Sequence, residues 1–217
     1  VCGKGGWQTA RSELHIPYLA FLHYLAERAG LVAVSGGALK PTAAALDWLD
    51  ADQPARLRAL WAAWSACTVD NVALWQRYRL PLAREEDPPA RFAQLCTLMA
   101  VHAPAGIAPT AYVDALARIE SALLRPATSY QNWMDMDADD QAAYQDALRE
   151  DLAALLVGPL VWLGVLEIEK AASQATAQAA LTLSALGARL LGRADGNWPP
   201  EPPPLGLETV SYTHLRA

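Results

Sequence analysis

Residues Gly37–Leu49 read GALKPTAAALDWL, and residues Ala179–Leu191 read AALTLSALGARLL. In each, a short apolar run meets a hydroxyl residue, Thr42 or Ser184, and an alanine- and leucine-rich helical pattern follows. Ser and Thr are favoured at helix N-caps because their oxygens accept from free backbone N–H groups. Ala38 and Ala180, Leu39 and Leu181, Thr42 and Ser184, and Leu49 and Leu191 correspond at one constant offset. Upstream of each stretch an apolar phrase runs through a glycine, Gly30-Leu31-Val32 and Gly164-Val165-Leu166. Leu31–Val34 and Ala38–Lys40 flank Ser35-Gly36-Gly37, a hairpin signal. Val165–Ile168 and Ala179–Leu183 flank the longer polar run EKAASQATAQ. The two stretches therefore read as the strand-to-helix exits of two wing hairpins. The competing reading is a chance likeness between two alanine-rich strand–cap–helix joins.

Working outward, Ile16–Ala29 has helical periodicity, with Pro17 in its first turn and Gly30 at its C-terminus. Pro54 opens a helix whose Leu57, Leu60, Trp61 and Trp64 share one face. Val72, Trp75 and Tyr78 mark a helix over residues 70–80, and Pro81–Pro89 reads as a linker. Beyond it come a helix with Phe92, Leu95, Cys96 and Met99, a break with one strand residue at Ile107, and a helix with Tyr112, Leu116, Ile119 and Leu123. A polar insertion precedes a third helix from Gln141 to Leu163, which Pro159 should kink or split. The second-half order of helix, strand, helix, helix, strand, wing, strand is that of a winged helix-turn-helix domain. The first half carries only its later part. The expected fold is mainly α with small β-hairpins (α+β), as tandem winged helix-turn-helix units, the first truncated. The expected divisions are 1–52 (partial unit), 53–87 (connecting helices), 88–193 (second unit) and 194–217 (proline-rich tail).

Composition narrows the class. Hydrophobic residues make up 53% of the 217 and charged residues only 18%, enough to bury a real core. The longest apolar run, Leu152–Leu166, falls short of the roughly 20 residues that span a bilayer, so no membrane partner is expected. Cys2, Cys67 and Cys96 form neither a disulfide framework nor a zinc pattern, which fits a reducing cytoplasm. The four histidines show no ligand spacing. Residues 1–100 hold ten Lys and Arg against nine Asp and Glu; residues 101–217 hold seven against fourteen. The chain starts at Val1, and its ending TVSYTHLRA departs in composition from the rest. That ending resembles translated sequencing adaptor, so the expectation is an internal fragment whose residues from Val210 onward are foreign.

The phrases LVGPLVWLGVLEI with LTLSALGARLLG, and GLVAV and LKPTAAALDWL with RLRALWAAW, resemble large bacterial proteins that carry winged-helix repeats. These are linked with the N-terminal, helicase-associated domain of XPB-type DNA-repair helicases. The resemblance covers Pro17–Trp64 and Trp133–Gly192 and rests on packing motifs. It implies an accessory module that docks to nucleic acid or to a partner subunit. The alternative is a protein-interaction scaffold with no nucleic-acid role.

In a DNA-reading winged helix the helix before the wing enters the major groove and needs outward Arg, Lys, Asn or Gln. Helix 16–29 offers His23, Glu27 and Arg28, and its wing offers Ser35, Gly36 and Lys40. The later helix offers Arg149 among Asp146, Glu150 and Asp151, and its wing offers Lys170. The candidate contact residues are thus Arg28, Ser35, Gly36, Lys40, Arg149 and Lys170. Double-stranded DNA is expected at the first unit. The acidic second half repels phosphate, so a protein partner is expected there.

Other chemistries fit less well. DMDADD, Asp135–Asp140, has the start of a calcium loop but Asp140 where glycine belongs and Asp146 where glutamate belongs. Carboxylates before a helix are explained by its macrodipole. Most of the eight tryptophans fall at core spacing, and Trp198 in the proline-rich tail is either a docking anchor or a stray residue. GKGG at Gly3–Gly6 lacks P-loop spacing. Neither Cys96 nor any Ser has a His and an acid placed to activate it. No cofactor and no catalytic role are expected of this chain.

Overall fold

The computed structural model describes residues 13–126, 130–169 and 180–198. It is mainly helical, with two small antiparallel sheets. After a 3-10 turn at Glu13–His15 come α1 (Pro17–Arg28), the hairpin β1 (Val32–Ser35) and β2 (Ala38–Pro41), α2 (Ala43–Asp50), α3 (Gln53–Ser65) and α4 (Val69–Arg77). Then follow α5 (Pro88–Val101), β3 (Ala105–Ile107), α6 (Pro109–Ile119) and a 3-10 turn at Ser121–Leu124. α7 (Tyr130–Asp135), α8 (Ala138–Val157), the single turn α9 (Pro159–Trp162), β4 (Leu166–Glu169), β5 (Ala180–Leu183) and α10 (Ala185–Leu190) complete the order. β5 lies between β3 and β4, antiparallel to both.

The two joins are alike at the level of hydrogen bonds. Gly30 and Gly164 both take the left-handed conformation, with φ of 69° and 77°, that lets the chain leave a helix sharply. Leu31 N–H donates to Ala26 O and Val165 N–H to Leu160 O, each at 2.8 Å. Thr42 Oγ1 donates to Gly30 O, and Ser184 Oγ to Gly164 O, each at 2.6 Å. The backbone N–H of Thr42 donates to Leu31 O at 3.0 Å, and that of Ser184 to Val165 O at 3.1 Å. One difference corrects the sequence reading. Ser184 Oγ caps α10 by accepting from Gly187 N–H at 2.8 Å, whereas Thr42 occupies the cap position of α2 without a side-chain cap bond.

The third long helix begins earlier than expected. Asp137 caps α8 through Asp140 N–H, which draws Ala138–Asp140 into the first turn. Pro159 splits rather than kinks it, since Pro159 supplies no N–H and starts α9 instead.

One continuous apolar cluster runs from Ala20 to Leu181 and so joins both halves. Its centre is aromatic. Trp64 stacks on Phe92 with ring centres 4.2 Å apart, and Phe21 meets Trp64 edge-on at 5.1 Å. Such pairs add about 0.5–1.5 kcal/mol beyond the area they bury. Buried Asn71 is fully used: its amide donates to Trp64 O and Ala66 O, and its oxygen accepts from Tyr24 Oη at 2.5 Å. It thereby satisfies carbonyls at the end of α3 that would otherwise be costly to bury.

Asp151 on α8 is a strained partner in this packing. Burial raises its pKa; the Arg84 guanidinium and the Leu82 N–H lower it, and Glu85 and Glu150 raise it again. The net direction is upward, so the folded chain holds this proton more tightly than the unfolded chain. Folding stability from this site is therefore present below the ordinary carboxylate range and is lost as pH rises through the raised folded value. Asp151→Asn is expected to raise the melting temperature at pH 7, by no more than about 1 kcal/mol in stability given the group's partial exposure. The gain should vanish near pH 3. Melting curves across that range check both parts.

Candidate interaction surface

Cross-strand register divides the first hairpin into two faces. Val32 pairs with Pro41 and Val34 with Leu39, while Ala33 pairs with Lys40 and Ser35 with Ala38. Successive residues of a strand point to opposite sides. Val32, Val34, Leu39 and Pro41 therefore share an apolar face, and Ala33, Ser35, Ala38 and Lys40 a polar one. The second hairpin has the same division: Leu166 pairs with Leu183 and Ile168 with Leu181, against Glu167 with Thr182 and Glu169 with Ala180. There the apolar face belongs to the core, with Leu166 and Leu181 fully buried and Ile168 and Leu183 packed against it.

In the first hairpin that face is uncovered. Val34 is 65% exposed and Leu39 48%. The helix that follows buries none of its residues, and its Leu46 and Leu49 are 64% and 58% exposed. Leu46 and Leu49 lie three apart, on one side of α2. Isolated exposed leucines are ordinary, but four large apolar side chains left exposed on one hairpin and its adjoining helix are candidates for docking.

The residues expected to contact nucleic acid are not gathered into one site. Ser35 and Gly36 form the exposed turn of the first hairpin, and Lys40 stands exposed on its polar face. Arg28 does not reach outward: it is half-buried and donates to Thr68 Oγ1 at 3.1 Å. Its neighbour Glu27 accepts from Arg77 and from Tyr78 Oη at 3.0 and 2.6 Å. α4 thus takes up the polar side of α1 that sequence alone offered to a groove. Arg149 pairs with Asp114 at 3.1 Å and with Asp146 at 2.5 Å. Lys170 lies outside the described residues.

The acidic run ahead of α8 acts as helix capping, with Asp137 as the cap and Asp139 and Asp140 in the first turn. Among the described residues no three His, Cys, Asp or Glu side chains converge as a metal site. Burial pushes the Cys96 thiol well above its usual range, so it is a poor nucleophile. Trp198 proves to be an anchor within the chain. The guanidinium groups of Arg58 on α3 and Arg189 on α10 lie over its ring, at 5.1 and 5.8 Å from the centre. This stack ties the tail to helices from both halves.

The exposed leucines of α2 escaped the sequence reading, although the apolar letters of the hairpin were visible. Among the described residues no helix is long and apolar enough to cross a membrane. No protein-family model, curated protein or solved structure matches the chain.

Proposed function

We propose that the chain is a non-catalytic accessory module of two winged-helix-like units, the first of which docks a partner protein. Support for the two units comes from the matching hydrogen bonds at the two joins, and for the second unit from the β3-β5-β4 sheet and the order of residues 88–183, in which α5, β3 and α6 precede the helices α7, α8 and α9 and the strands β4 and β5. One observation carries the docking role. The apolar face of the first hairpin and α2 is open, while the same face of the second hairpin is covered by its own helices. The partner chemistry that fits is an uncharged apolar layer, of the kind that covers the second hairpin.

A nucleic-acid role fits the geometry less well. α1 is packed against α3 and α4, Arg28 is engaged, and α8 carries its arginine between two aspartates. Fluorescence anisotropy of a labelled duplex at about 50 mM salt is expected to show no saturable binding; a salt-sensitive rise would restore the nucleic-acid reading. Without its partner, the open face should drive concentration-dependent self-association. Sedimentation velocity should detect it in the parent chain. Leu46→Asp combined with Leu49→Asp should abolish it and leave far-UV circular dichroism unchanged. A parent chain that stays monomeric at high concentration would overturn the docking face.

A further inference from the structure

A cleft of about 640 Å³ opens between α1, the loop after α4 and the break between α8 and α9. Small-molecule pockets fall in the range of about 300–1,000 Å³. Pro17, Ala20, Leu80, Ala154, Pro159 and Trp162 give it apolar walls. Gly158 makes part of this shape possible, because a Cβ there would lie 2.9 Å from Ala154 O and 3.3 Å from the Trp162 ring.

The loop side of the cleft is built at a conformational cost. Arg79 and Leu82, neither a glycine, have φ of 51° and 72°. Left-handed conformations of such residues persist only where the surroundings enforce them, and at Arg79 the conformation closes the C-terminal end of α4. Here Trp75 Nε1 donates to Pro81 O at 2.6 Å, and Leu80 N–H donates to Trp75 O at 3.2 Å. These bonds hold Arg79 and Leu80 on the cleft wall.

The charges are unequal. Arg79, Arg84 and Asp151 all line the cleft, and Arg84 is the guanidinium that acts on Asp151. Arg79 forms no side-chain hydrogen bond or ion pair among the described residues and is exposed. One cation is left over beside an apolar cavity. We propose that this cleft binds a small amphipathic anion: an apolar, ring-bearing body seated against Trp162, with one carboxylate, sulfonate or phosphate group met by Arg79. A guanidinium suits such groups because its planar fork can donate two parallel hydrogen bonds. The site is separate from the docking face of the first hairpin.

Two probes with one aromatic body test it. 1-Anilinonaphthalene-8-sulfonate carries the anion, and N-phenyl-1-naphthylamine lacks it. Fluorescence titration of the full chain should show one saturable site for each. Arg79→Glu should weaken the sulfonate by about tenfold or more and leave the neutral probe nearly unchanged. Ala154→Phe, at an exposed position of the cleft wall, should remove both. Leu46→Asp with Leu49→Asp should alter neither, which separates this site from the docking face. If Ala154→Phe fails to fold, the contrast between the two probes in Arg79→Glu decides alone. Binding that ignores Arg79→Glu, or that moves with the Leu46 and Leu49 changes, overturns the proposal.

Discussion

Replacing Arg91 by alanine is expected to cost the fold about 3–5 kcal/mol, the usual penalty for leaving one half of a buried ion pair behind. Arg91 on α5 and Glu85 in the loop before it are both buried, with 1% and 7% of their side chains exposed. Arg91 Nε and Nη2 donate to Glu85 Oε2 at 3.3 and 3.2 Å. Nη1 donates to Gln94 Oε1 and Ala122 O at 2.8 and 2.9 Å, and Nη2 also reaches Arg125 O. The other oxygen of Glu85 accepts from Tyr144 Oη on α8 at 2.7 Å. One guanidinium thus fastens α5 to the turn at Ser121–Leu124 and, through Glu85, to α8. Its removal strands a buried carboxylate and leaves two carbonyls, of Ala122 and Arg125, without this donor.

Lysine at 91 should not rescue, because a single ammonium cannot reach acceptors spread over this fan of directions. Glu85→Leu combined with Arg91→Met should recover most of the loss, since two apolar groups of similar volume need no partner. Urea melts of the three variants separate these cases. A loss below about 1 kcal/mol for Arg91→Ala would mean that the pair behaves as a solvated surface bridge.

The same residue shows where sequence reading reaches its limit. Arg91 stands beside Phe92 in an amphipathic helix and looks like an ordinary surface charge. Its carbonyl partners lie 31 and 34 residues onward, a distance that no local pattern encodes. By contrast, both joins were legible, because each is spelled by short local phrases, a glycine leading into strand residues and a hydroxyl that opens a helix, even though the bonds between them span 12 and 20 residues. The Gly36-Gly37 turn was legible for the same reason, with φ of 62° and 76° that glycine adopts without strain. Exposure of the first hairpin was not legible. Val32, Val34 and Leu39 alternate as Leu166, Ile168 and Leu181 do, and alternation names the apolar face without saying what lies on it. The engagement of Glu27 and Arg28 on α1 was not legible either, because their partners Thr68, Arg77 and Tyr78 stand some forty to fifty residues away.

Gly187→Ala should cost about 3 kcal/mol, against the direction of helix propensity. Gly187 is the glycine of ALGARLL, in the first turns of α10, and it is buried. A Cβ at this position would run into the carbonyl oxygen of Val165 and come within 2.9 Å of Leu183 Cδ1. Val165 O already accepts from Ser184 N–H, so the obstacle is backbone held in place by the join itself. The Leu183 methyl can turn aside, but the Val165 oxygen cannot give way without opening the strand-to-helix exit. At the corresponding position of the first join stands Ala45, half-buried and accommodated. Ala45→Gly should therefore cost only the propensity difference, about 1 kcal/mol. The two exchanges are mirror images in sequence but differ in their physical cause: a collision in one, backbone entropy in the other. Equal and small losses in urea melts would mean that α10 stands as far from its strand as α2 does, and the contrast between a closed second unit and an open first one would go with it. A large loss at 187 alone places the tight helix–strand contact in the second unit. The first join then has a looser helix, whose Leu46 and Leu49 stay turned outward.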